Sequence, residues 1–170
     1  MITTFKRMKE PKNIAAAAIT AALYVSLTSP VGFEMIQFRF SEVLCLLAFI
    51  DPIYGIGVTI GCFFANIASP FGILDIIVGS LATFASVACI SKSRNLFVAS
   101  LWPTVFSLPV AGMITFMSGA ESSFIVTAAW LALSEFFVVS IIGYPLFTAL
   151  LRNPHISMIL KSKDSKATLQ

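Results

Sequence analysis

The stretch VLCLLAFIDPIYGIGVTIGCFFANIA, Val43–Ala68, decides the fold, because it is apolar almost throughout and broken once, at Asp51-Pro52. Proline has no N–H to donate and its ring clashes with the preceding turn, so a helix ends or bends there. The stretch is therefore either one interrupted helix or two short helices meeting at a tight turn. Working outward, the candidate membrane spans are Ile14–Thr28, Ile73–Ile90, Leu96–Met117 and Ser122–Leu151, judged against the roughly 17 to 20 apolar residues that a crossing needs.

Charge decides between the two counts. With two helices in Val43–Ala68 and the start of the chain inside, ten of the 11 basic residues fall on the cytoplasmic side. They are Lys6, Arg7, Lys9 and Lys12, then Lys92 and Arg94 in a loop, then Arg152, Lys161, Lys163 and Lys166. A single helix there would put the Lys92 loop and the basic tail outside, against the excess of Lys and Arg that cytoplasmic loops carry. The expectation is an all-α integral membrane protein, a bundle of six transmembrane helices with both termini cytoplasmic. Residues 1–13 form a cytoplasmic segment, 14–152 the membrane domain and 153–170 a polar cytoplasmic tail, and the chain is multi-pass in the cell membrane.

Composition agrees. At 58% hydrophobic and 11% charged residues, with a mean hydropathy of +0.93, 170 residues carry more apolar surface than one soluble core requires. The net charge of +3 sits at the chain ends and one loop, so it reports orientation in a lipid bilayer and no nucleic-acid partner is expected. Cys45, Cys62 and Cys89 lie inside apolar runs without CxxC spacing, which reads as packing, not as a metal site or a disulfide framework.

Polar groups inside hydrocarbon are expensive, so their positions point to helix contacts or to a site. In the six-span reading Glu34, Gln37, Arg39 and Glu42 flank the first outer loop, Asn66 ends the third span outside and Asp75 begins the fourth. Glu135 lies about 20 Å below the outer end of the last helix at 1.5 Å per residue. The group converges on the outer half, as an outward-opening cavity requires. Asp75, Gly79, Thr83 and Ser86 follow i, i+4, i+8 and i+11 and should face inward. Gly57, Gly61 and Ala65 form a small-residue row suited to packing within the chain, and Ala17 with Ala21 and Ala18 with Ala22 form rows that fit either that or an outside partner helix. Trp130 is placed to be a stacking wall or an interfacial belt residue, and Trp102 a belt residue. Arg39 and Glu42 fit a lid latch or a plain local ion pair pinning the loop.

Catalytic chemistry is not indicated. The one histidine, His155, stands at the far end from the outer carboxylates, no G-x-x-x-x-G-K-[ST] loop occurs, and nothing in the sequence places Asp75 and Glu135 on one scissile bond. No enzyme, cofactor or metal site is expected, and any ATP-driven step falls to a partner.

Several stretches together are specific: QFRFSE at Gln37–Glu42, GCFFAN at Gly61–Asn66, ILDIIVGSLAT at Ile73–Thr83, and the pair Ser134-Glu135. In these the chain resembles the QueT family, substrate-binding S components of energy-coupling-factor (ECF) transporters for queuosine precursors, over about Ile14–Leu151. The resemblance implies the six-helix S-component bundle, capture of a small molecule from outside under a first-loop lid, and docking through Ala17, Ala18, Ala21 and Ala22 onto an ECF transmembrane coupling subunit that carries two ATPase subunits. One position departs, since Ser107 stands in Pro103–Pro109 where the family typically has asparagine. That leaves an S component for another flat, vitamin-like solute, or a stand-alone secondary carrier, as alternatives. A 7-deazaguanine-like base presents a ring N–H beside an exocyclic amine, which suits a carboxylate, and a flat ring, which suits an aromatic wall. The expected substrate-binding residues are Glu135 and Asp75 as an acid pair, Asn66 and Gln37 as amide partners, Trp130 as stacking surface, and Ser107, with Arg39 and Glu42 as lid latch.

Overall fold

A computed structural model describes residues 7–28, 39–118 and 123–153. Within them the chain is helical, without strands: α1 (Pro11–Leu27), α2 (Phe40–Ile50), α3 (Pro52–Asn66), α4 (Ile73–Ile90), α5 (Leu96–Ser118) and α6 (Phe124–Arg152). Three of these, α4, α5 and α6, are long and apolar enough to cross a membrane. Gln37, Glu34 and His155 lie outside the described residues.

The break at Asp51 is a reversal. Asp51 is extended, and its carboxylate accepts the Ile53 N–H at 3.0 Å, capping α3 with Pro52 in the first turn where its missing N–H is harmless. A Cβ on Gly55 would stand 3.0 Å from that of Ala48. In one straight helix these positions would be about 10 Å apart along the axis, so the chain folds back and Val43–Ala68 is two helices. Arg7 closes this end with a bidentate bond to Asp51, at 2.6 and 3.3 Å.

From that turn the helices alternate in direction, and the Asp51 end gathers Arg7, Lys9, Lys12, Lys92, Arg94 and Arg152. The core is thickest there, around Leu46, Ile50, Val58, Ile90, Val139 and Leu151. Large apolar side chains also cover the outside, among them Ile19, Phe64, Ile73, Leu81, Phe116 and Ile125. Such a surface suits lipid and would be an aggregation hazard in water.

Small residues set the α1–α3 contact. A Cβ on Gly57 would meet the Ala17 carbonyl oxygen at 2.5 Å, and one on Gly61 would meet the Tyr24 Cβ at 2.7 Å, so the glycine row lets the two backbones touch. Ala17 and Ala21 are used up in this seam, whereas Ala18 and Ala22 are exposed. The four-alanine docking face expected from the sequence is thus split by helical rotation, and the outward row is Ala15, Ala18 and Ala22.

Candidate functional site

Midway along the bundle α4, α5 and α6 part around a small cavity of about 40 Å³. The α4 wall is Gly79, Ala82, Thr83 and Ser86; the α5 wall is Pro103, Phe106, Ser107 and Val110; Leu131 and Glu135 come from α6, and Arg39 and Glu42 enter from α2 and the residue before it. Each wall follows helical spacing, which is why the inward face of α4 was readable as Asp75, Gly79, Thr83 and Ser86, all buried. A π-helical segment, Phe136–Gly143, follows Glu135 at once. Its Gly143 lies against α2, where a Cβ would stand 3.2 Å from Leu46 Cδ1.

The polar groups divide by how completely they are paired. Glu42 is paired at both oxygens: Tyr24 donates its hydroxyl to one and Cys45 its thiol to the other at 3.0 Å. Arg39 is buried and reaches from before α2 to Asn66 Oδ1 at 3.2 Å and Asp75 Oδ2 at 3.4 Å. Asn66 in turn donates to the Asp75 carbonyl at 3.1 Å, and Ser69 donates its hydroxyl to Asp75 Oδ2 at 2.5 Å. Gly79 makes room for this arrangement, since a Cβ there would be 2.5 Å from Asn66 Nδ2. Two buried atoms on the cavity wall, Glu135 Oε2 and Ser86 Oγ, have no hydrogen-bond partner among the described residues. Buried polar atoms are nearly always paired, so such orphans mark where a ligand or water completes the set.

A family model described as QueT transporter matches residues 14–152. The chain belongs to the QueT transporter family. It is 35% identical over 151 residues, 76% of this chain and 88% of the other, to the queuosine precursor transporter QueT of Lactococcus lactis subsp. cremoris strain MG1363. No solved structure matches. Membership makes this chain a transporter-family membrane protein, in keeping with its three long apolar helices.

In this QueT family chain the residues singled out from sequence fall into three groups. Glu135, Ser107, Arg39 and Glu42 line the cavity. Arg39 and Glu42 were expected as a latch on an outer loop; they are instead buried in the cavity wall, because α2 begins at Phe40 and carries them into the bundle. Asp75 and Asn66 are wholly buried and lie one layer behind, not on the wall: they hold Arg39, so the acid pair facing the cavity is Glu42 with Glu135. Trp130 is the clearest correction. At 52% exposed it points out of the bundle, because the inward face of α6 runs through Thr127, Leu131 and Ser134.

The aromatic ring on the wall is Phe106, which sequence reasoning missed. Its signal was present: Pro103, Phe106, Ser107 and Val110 share one helical face by i, i+3, i+4 and i+7 spacing. Ser107, in the place of the family's asparagine, gives its hydroxyl to the Thr104 carbonyl of its own helix at 2.8 Å.

Proposed function

We propose that the chain is the substrate-binding membrane subunit, or S component, of an uptake transporter for a queuosine precursor, taking a 7-deazaguanine-type base from outside the cell. The observation that carries this reading is the cavity itself, where an arginine, an incompletely paired carboxylate and a flat phenyl ring stand together. A deazaguanine offers the matching set: a carbonyl, a ring N–H beside an amine, and a flat apolar face. The relative from Lactococcus lactis carries the same substrate class in its name.

In this reading all six helices cross the bilayer, with 1–13 and 153–170 cytoplasmic. Clustering of Arg7, Lys9, Lys12, Lys92, Arg94 and Arg152 at the Asp51 end supports that orientation. The cavity then opens toward the opposite, outer side. A tag placed after residue 51 should be reached only from the cytoplasm. In this reading energy comes from an ECF coupling subunit with two ATPases. The outward row Ala15, Ala18 and Ala22 is flat enough for a partner helix to approach it closely.

A thermal-stability screen of the purified chain against 7-deazaguanines and common vitamins tests the substrate. A ligand at 100 times its dissociation constant adds about 2.7 kcal/mol, so a 7-deazaguanine should give a plain upward shift that the vitamins do not. A shift with an unrelated flat vitamin, and none with any 7-deazaguanine, overturns the assignment. Uptake by cells lacking the ATPase subunits overturns the energising scheme.

A further inference from the structure

Arg39 was expected to hold a lid, yet it lies in the binding wall, and the groups behind it are arranged to fix its guanidinium. We infer that Arg39 is a ligand-contacting donor that reads the carbonyl of the base, with Asn66 and Asp75 as its positioning residues and Glu135 as the facing acceptor for the ring N–H and amine. This rests on the 7-deazaguanine reading above and deepens it, because it states which edge of the base is read and by which side chains.

The argument runs through hydrogen-bond valence. A guanidinium has five N–H donors and no acceptor, in a planar fork whose direction is fixed by what its ends touch. Here the ends touch Asn66 Oδ1 and Asp75 Oδ2, from the end of α3 and the start of α4. Those two are tied to each other and to Ser69, and Gly79 keeps the space for the Asn66 amide. The fork is therefore set by four residues that do not themselves line the cavity, apart from Gly79.

On the wall, Arg39 can only donate, while Glu135 as a carboxylate can only accept and has an unpaired buried oxygen. Glu42 is the poorer acceptor, because each of its oxygens already accepts one bond, from Tyr24 and from Cys45. A cavity with a fixed donor and a waiting acceptor selects a base edge ordered carbonyl, ring N–H, amine. It rejects the diamino edge, on which an amine replaces the carbonyl and the ring nitrogen loses its hydrogen, since donor then faces donor at Arg39 and lone pair faces carboxylate at Glu135.

Three probes are compared: 7-deazaguanine; 2,6-diamino-7-deazapurine, in which an amine replaces the carbonyl and the ring N–H becomes a bare nitrogen; and 7-deazahypoxanthine, which lacks the exocyclic amine. Dissociation constants are measured for the intact chain and for Arg39→Lys, which keeps a positive charge beside Asp75 and loses the fork. The wild type should bind 7-deazaguanine at least about 30-fold more tightly than the diamino analogue, with 7-deazahypoxanthine weakened about 10-fold or more. Arg39→Lys should lose affinity for 7-deazaguanine and narrow its preference over the diamino analogue by about 3-fold or more, the remainder coming from Glu135 against the bare ring nitrogen, while the penalty for 7-deazahypoxanthine persists. The preference ratio is the readout that a general loosening of the bundle would not move selectively.

If the wild type binds 7-deazaguanine and the diamino analogue equally, the inference is overturned while the substrate class stands, and this needs no variant to fold. If Arg39→Lys weakens all three probes by the same factor, Arg39 is structural and the inference also fails. Binding of no 7-deazapurine at all overturns the functional reading beneath it.

Discussion

Two arginine–aspartate pairs stand at opposite ends of the bundle, and they are built differently. Arg7–Asp51 is short and bidentate, and Asp51 also caps α3. Arg39–Asp75 spans 3.4 Å, deeper in the protein, with Asp75 wholly buried and its Oδ1 without a hydrogen-bond partner among the described residues. The first pair is a clasp on a turn. The second leaves bonding capacity unused beside a cavity where Glu135 Oε2 and Ser86 Oγ are also unpaired. Unpaired Glu135 Oε2 and Ser86 Oγ mark where a ligand or water completes the cavity wall, while Ser80 Oγ and Thr104 Oγ1, away from it, are unpaired among the described residues.

The sharpest way to break this contrast is Asp75→Ala. It takes away the carboxylate paired with a buried guanidinium, and removing one member of such a pair lowers stability by about 3–5 kcal/mol, read as a large fall in melting temperature together with loss of ligand binding. Next comes a pair of glycine substitutions that should separate scaffold from site. Gly57→Ala drives a Cβ into the Ala17 backbone oxygen, so α1 and α3 must move apart at a cost of about 1–3 kcal/mol, while the preference among base analogues is kept. Gly79→Ala meets side chains instead of backbone, the Asn66 amide at 2.5 Å and Asp75 Oδ1 at 3.2 Å; its stability loss should be smaller, about 1 kcal/mol, yet ligand affinity should fall because Asn66, Asp75 and Arg39 shift. Equal effects of the two on affinity would erase the distinction. The smallest change is expected from Asp51→Asn, which keeps a side-chain cap but weakens the pair with the partly exposed Arg7, lowering stability by about 1 kcal/mol with ligand affinity unchanged.

Much of the scaffold was legible because lipid enforces simple patterns. Asp51-Pro52 ended a helix for local reasons, the small face of α4 followed from helical spacing, and the Gly57 and Gly61 row found its partner backbone within the chain. The site was legible only by residue type. Glu135 and Ser107 line the wall, but sequence could not show that Asp75 is turned to Arg39, or that Glu42 is bonded by Tyr24, because those pairings join segments far apart in the chain. Trp130 and Phe106 exchanged places for a similar reason. Which aromatic faces a cavity depends on rotation of α5 and α6 about their axes, and apolar residues on all sides of a membrane helix leave that rotation weakly marked. The alanines of α1 show the same limit, since both rows fit a close contact and only the position of α3 says which is already occupied.

The central claim, that the cavity walled by α4, α5 and α6 is where the base binds and that its unpaired carboxylate is the group that receives it, is tested most directly by Glu135→Gln. The amide puts a donor where an acceptor is needed and leaves the packing volume nearly unchanged. The dissociation constant for 7-deazaguanine should rise at least 10-fold, while the ligand-free melting temperature changes little because the side-chain volume is kept. An affinity within about twofold of the wild type would contradict the account.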